Sequence, residues 1–124
     1  MDIQESGEMY LESLLILSRQ KNTVRAIDIA DFMNFSKASV SRALGKLKDG
    51  KFILVDKDGY IAFTEKGRAI AESIYERHTL LTQYFVNIGV DEQTASADAC
   101  KIEHVISEKT FAAIKKHAAK FAKK

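Results

Sequence analysis

Residues 26–63, AIDIADFMNFSKASVSRALGKLKDGKFILVDKDGYIAF, decide the fold. The stretch opens on a short helical segment, Ala26 to Met33. Asn34 follows, a residue that tolerates the left-handed conformation needed to turn a chain after a helix. A second helix is predicted between Ser36, a good N-cap, and Gly50, a good C′ residue. Val40, Leu44 and Leu47 recur at i, i+4 and i+7 and form its inward stripe. Lys37, Ser39, Ser41, Arg42 and Lys46 are left largely on the other side. Then come two β-prone runs, Phe52 to Val55 and Tyr60 to Phe63, around Asp56-Lys57-Asp58-Gly59. Asp-Gly between apolar runs predicts a hairpin. A helix-turn-helix followed at once by a hairpin is a winged helix.

Outward from this stretch the chain is helical. A first helix is expected from about Glu8 to Arg19, with Tyr10, Leu14 and Leu17 on its apolar face. Thr64 caps a long helix from Glu65 to about Ile88, closed by Gly89. Asp91 caps a fifth, expected to reach Ile106, and Ser107 caps a sixth that runs to the end. Phe111, Ile114, Ala118 and Phe121 form the apolar stripe of that last helix, within a basic tail. The expected fold is mainly α with a β-hairpin (α+β). Residues 1–70 form the winged helix and residues 71–124 an all-helical domain.

The 124 residues are 46% apolar and 29% charged, an ordinary globular composition. No apolar run is long enough to span a bilayer, so no membrane partner is expected. Met1 to Glu5 is acidic and lacks the apolar core of a secretory signal. Cys100 is the lone cysteine, which rules out an intrachain disulfide and makes the cytoplasm the expected compartment. The net charge is only +2, but Arg19 to Phe63 holds nine cations against five acids. That local excess suits a phosphate-facing surface.

The second helix of a helix-turn-helix lies in a major groove with its N-terminal residues at base edges. Arg42 is the candidate for a base contact, because a guanidinium pairs bidentately with guanine. Ser36, Ser39 and Ser41 can bond phosphates or bases. Arg25, Lys37, Lys46 and the wing residue Lys57 complete the DNA-binding set, mainly through phosphates. The bland alternative is a helical hairpin with a solvated face. Asp56 and Asp58 at the wing tip weigh toward it, because acids repel phosphate.

Cys100, Glu103 and His104 stand at i, i+3 and i+4, which places a thiol, a carboxylate and an imidazole on one helix face. Those groups are a metal-ligand set. Equally, they can be a buried thiol beside a surface ion pair. Met9 and Glu12 share a face of the first helix, and the long helix offers His78. Each alone reads as core filler or a structural histidine. Together they make a site only if the tertiary fold gathers them.

Eight segments carry a wider likeness: Gly7 to Glu12, Asp28 to Ala30, Ser39 to Ser41, Leu47 to Gly50, Thr64 to Gly67, Arg77-His78, Ile88 to Asp91 and Ala99 to His104. On these the sequence resembles the diphtheria-toxin-repressor and manganese-transport-regulator family of metal-dependent repressors. The resemblance covers nearly the whole chain. It implies a dimeric repressor that binds operator DNA when loaded with a divalent transition metal. It implies that Met9, Cys100, Glu103 and His104 form the main regulatory site, that His78 serves a second site, and that the last two helices form the dimerisation layer. Met9 and Cys100 match the iron-responsive branch, whereas Glu12 is a feature of the manganese branch, so the ligand set is a hybrid. The softer donors favour Fe2+, with Mn2+, Co2+, Ni2+ and Zn2+ as alternatives. Thr82 and Ser96 stand where the iron branch has an acid and a histidine, which leaves Glu12, His78 and Glu103 to build any second site. No SH3-like third domain is expected after the sixth helix.

Three rival readings compete. A metal-independent winged-helix regulator sensing a small organic ligand would share the DNA-binding half. A metal buffer would leave the winged helix without a purpose. An enzyme using Cys100 and His104 as nucleophile and base lacks an oxyanion-hole motif or a substrate loop, so no catalytic residues are expected.

Overall fold

The element order of the computed structural model follows the caps and stripes just described. The structure describes the backbone of residues 5–122 and the side chains of residues 6–120. Met1 to Gln4 and the stripe residue Phe121 lie outside these limits. The helices are α1 (Glu5–Gln20), α2 (Ala26–Met33), α3 (Lys37–Asp49), α4 (Glu65–Asn87), α5 (Glu92–Ile102) and α6 (Glu108–Ala122). The strands are β1 (Ile53–Val55) and β2 (Ile61–Phe63), paired antiparallel with Leu54 opposite Ala62. The chain divides into two compact units, Met1–Glu72 and Ser73–Lys124.

In the first unit α1 packs on α2 and α3, and α3 packs on β1. Leu11, Leu14 and Leu15 of α1, Ile29 and Ala30 of α2, and Val40, Leu44 and Leu47 of α3 are buried. Burying each large aliphatic side chain stabilises the unit by about 1.5–3 kcal/mol. Asn34 turns the chain at φ 58°, ψ 44°, as its side chain permits. Ser36 caps α3 by accepting a hydrogen bond from Ser39 N–H.

The end of α3 differs from expectation. Gly50 is right-handed at φ −78°, and Lys51 takes the left-handed position at φ 64°. The glycine serves close packing instead: a Cβ on Gly50 would stand 2.7 Å from the buried Phe52 ring. Gly67 has a similar role at the start of α4, where a Cβ would collide with the Phe52 carbonyl oxygen. Thr64 ties the same junction, donating to the Lys51 carbonyl at 2.7 Å and accepting from Gly67 N–H at 3.1 Å.

The second unit buries Leu81, Ala99 and Phe111, flanked by Leu80, Phe85, Ile102, Ile106 and Ile114. Asp91 and Ser107 cap α5 and α6 by accepting from Thr94 N–H and Thr110 N–H. Helix α5 ends at Ile102, four residues short of the expected Ile106, and Glu103 to Val105 form a turn. Arg77 of α4 ties down this turn. Its Nη1 donates to the carbonyls of Glu103 at 3.1 Å and Ile106 at 2.8 Å, satisfying acceptors left beyond the helix end.

Candidate functional site

The candidate DNA-binding face of the first unit comprises α3 and the wing. Ser36, Lys37, Ser41, Arg42 and Lys46 are exposed, and Ser39 is half-buried. Ser36 Oγ accepts from Ser39 N–H at 3.1 Å and donates to Ser39 Oγ at 2.9 Å, so this hydroxyl is already engaged in capping. Arg42 Nη2 lies 3.5 Å from Ser39 Oγ, a long contact that leaves the guanidinium largely available. Positive charge and small hydroxyls thus share the surface of one helix.

The wing is fastened to the helix-turn-helix. Ile61 N–H donates to the Val24 carbonyl at 2.8 Å. The Arg25 guanidinium sits 4.6 Å from the Tyr60 ring centroid, a cation–π contact that sequence reading missed because it joins residues 35 positions apart. Asp56 turns inward. Its Oδ1 accepts from Asp58 N–H and Tyr60 N–H, both at 2.9 Å, which shapes the loop carrying the exposed Lys57. At the base of α2, Asp28 Oδ1 takes Lys21 Nζ at 2.6 Å and Oδ2 takes Arg25 N–H at 2.9 Å. The Lys21 hydrogen bond, then the Arg25 amide, hold the Asp28 carboxyl below its usual range.

The second unit gathers three of the predicted metal-site residues. Glu103 is fully buried. Its Oε1 lies 2.7 Å from His78 Nδ1, and its Oε2 lies 3.4 Å from His104 Nε2 without a hydrogen bond to any group. The His104 side chain is buried and that of His78 is a quarter exposed. Ser96 Oγ stands 3.5 Å from the other nitrogen of His78, a contact visible only once α4 and α5 are packed. Cys100 lies half-buried on the last turn of α5, three and four residues before Glu103 and His104. The expected single helical face is in fact a helix end followed by a turn. The turn keeps helical geometry at Glu103, at φ −56° and ψ −27°, and Glu103 N–H still donates to the Ala99 carbonyl.

In the first unit, Met9 is half-buried and Glu12 is buried, one turn apart on α1. A buried carboxylate must be paired, hydrogen-bonded or metal-bound to offset its lost hydration. One oxygen of Glu103 has its hydrogen bond, and the other has none. A buried carboxylate oxygen with a thiol and an imidazole nearby in the chain is a donor set that fits a divalent transition metal.

Known proteins are similar to this chain in both of its halves. The iron dependent repressor N-terminal DNA binding domain matches residues 2–68, and the iron dependent repressor metal binding and dimerisation domain matches residues 64–124. The HTH-type transcriptional regulator MntR of Geobacillus kaustophilus (strain HTA426) is 34% identical over 102 residues, which cover 82% of this chain and 72% of that protein. Among solved structures, the manganese regulator SloR is similar at a TM-score of 0.80 and 26% identity, over 94% of this chain and 54% of that one. The metal-dependent transcriptional regulator MtsR has a TM-score of 0.82 at 23% identity, over 89% of this chain and 52% of that one, a likeness of fold. The chain therefore spans about half the length of these two solved proteins. No described helix is long and apolar enough to cross a membrane. With a DNA-binding half and a metal-binding half matched in the same order, the chain belongs to the iron-dependent repressor family of metal-dependent transcriptional regulators.

Proposed function

We propose that this protein represses transcription by binding double-stranded operator DNA as a homodimer when it holds a divalent transition metal, with iron(II) the favoured ion. Met9, Glu12, Cys100, Glu103 and His104 would hold the ion, with His78 beside them. The bound ion would supply positive charge to a buried carboxylate. The observation that carries this reading is Glu103, fully buried with one carboxylate oxygen lacking a hydrogen bond. The thiol of Cys100 and the thioether of Met9 bias the choice toward iron(II), although SloR is named for manganese. A reducing cytoplasm would keep the thiol available.

On the DNA side, Arg42 would read a base edge and Ser39 and Ser41 would bond bases or phosphates. Lys37, Lys46, Lys57 and Arg25 would hold phosphates, and Ser36 would serve mainly as the cap that orients the start of α3. A dimer places two such helices in successive major grooves, roughly 34 Å apart. Loading the site would favour the DNA-competent state of the dimer. The size of that effect is set by how much better the ion binds the DNA-competent state.

The test is anaerobic fluorescence anisotropy on candidate upstream DNA, with Fe(II), Mn(II), Zn(II) and chelator in parallel. Specific binding that appears with metal and is reversed by chelator is the expected result. Equal operator affinity in all arms would refute the proposal.

A further inference from the structure

The buried carboxylate of Glu103 has two oxygens in different circumstances. Oε2 is the one without a hydrogen bond. Oε1 faces His78 Nδ1 at 2.7 Å, short enough for a charge-assisted hydrogen bond. If Nδ1 carries the proton, neutral imidazole keeps its lone pair on Nε2. That nitrogen faces a hydroxyl, Ser96 Oγ, at 3.5 Å. One turn further along α4, Thr82 Oγ1 is buried without a hydrogen bond. His78 thus faces a carboxylate at one ring nitrogen and the neutral Ser96 hydroxyl of α5 at the other, with the Thr82 hydroxyl one turn along its own helix. Hydroxyls bring no negative charge and bind divalent transition metals weakly beside thiolate, imidazole or carboxylate. Meanwhile Arg77, the residue before His78, holds the backbone carbonyl of Glu103 at 3.1 Å. Two consecutive residues of α4 therefore grip Glu103, one by its backbone and one by its side chain.

We propose that His78 is a positioning residue and not a ligand: its Nδ1–H fixes the Glu103 carboxylate so that Oε2 is presented to the ion, and the chain holds one metal ion. This rests on the metal-binding reading above and replaces the second site that the sequence resemblance implies for His78. Outer hydrogen bonds of this kind orient ligands, and their loss costs about 10–100-fold in metal affinity.

The test is anaerobic cobalt(II) titration of the full chain. It reads ions bound per chain, the dissociation constant and the thiolate-to-cobalt charge-transfer band expected from Cys100. His78→Ala should leave the count at one and the band in place, while affinity falls about 10–100-fold. His78→Asn should recover most of that loss, because its amide Nδ2–H can donate from the place of Nδ1. Circular dichroism checks that both variants fold. Two ions per chain, falling to one in His78→Ala, would overturn the inference and leave the metal-dependent function standing. Unchanged affinity in His78→Ala would also overturn it. Absence of cobalt binding in the unmodified chain would overturn both this inference and the proposed function.

Discussion

Arg42 and Gly45 share the outer surface of α3 and make opposite predictions. Arg42 is exposed and makes only a long contact to Ser39, so the folded monomer gains little from it. Arg42→Ala should leave the melting temperature nearly unchanged, weaken operator binding by about 1–3 kcal/mol and relax selection at one base position. Competition binding with single-base operator variants measures this. Gly45 lies inside the helix, exposed, and a Cβ built on it meets nothing within 4 Å. Gly45→Ala should therefore stabilise the protein by about 1 kcal/mol, read by urea denaturation, because glycine costs that much in a helix interior. Asn34, Ser36 and the Asp-Gly turn could be read as punctuation from residue type alone. The left-handed Lys51 could not, because lysine has no intrinsic preference for that conformation.

Helix ends and helix stripes decide behaviour at the scale of elements. Leu44 sits in the inward stripe of α3 and is buried. Leu44→Ala should cost about 2–5 kcal/mol and abolish DNA binding near the melting temperature, by loosening α3 rather than by touching DNA. At the start of α5, the Asp91 carboxyl is lowered below its usual value of 3.8, first by the Thr94 N–H. A lowered folded value means that the cap stabilises above the unfolded value and is lost as pH falls through the folded one. Asp91→Ala should therefore lower the melting temperature at neutral pH, and the gap from the parent should close on acidification. Thermal melts through the carboxylate range check this. The length of α5 shows what periodicity leaves out. The pattern allowed the helix to continue to Ile106, but Arg77, a neighbour only in the tertiary fold, holds the carbonyls at its end.

The whole molecule should register its ion as stability. A ligand bound by the folded state alone adds about 2.7 kcal/mol at a hundredfold excess over its dissociation constant. Anaerobic iron(II) should raise the melting temperature and chelator should reverse the rise, whereas Cys100→Ala should abolish the response. An unchanged melting temperature with saturating metal would count against the proposed site. DNA affinity should also fall steeply with salt, since several cations on the reading face would displace counterions.

Local chemistry, written in the chain itself, determined the winged helix, the order of the helices, and the residue types able to hold a metal or face DNA. Stripes, caps and an Asp-Gly turn act over a few residues, so they can be read without coordinates. Tertiary structure alone decided that His78 and His104 flank one carboxylate, that Ser96 stands behind His78, and that Arg25 rests on Tyr60. Except for the neighbours Glu103 and His104, those contacts join residues far apart in sequence, and their geometry depends on how packed helices place side chains, which no pattern of spacings encodes.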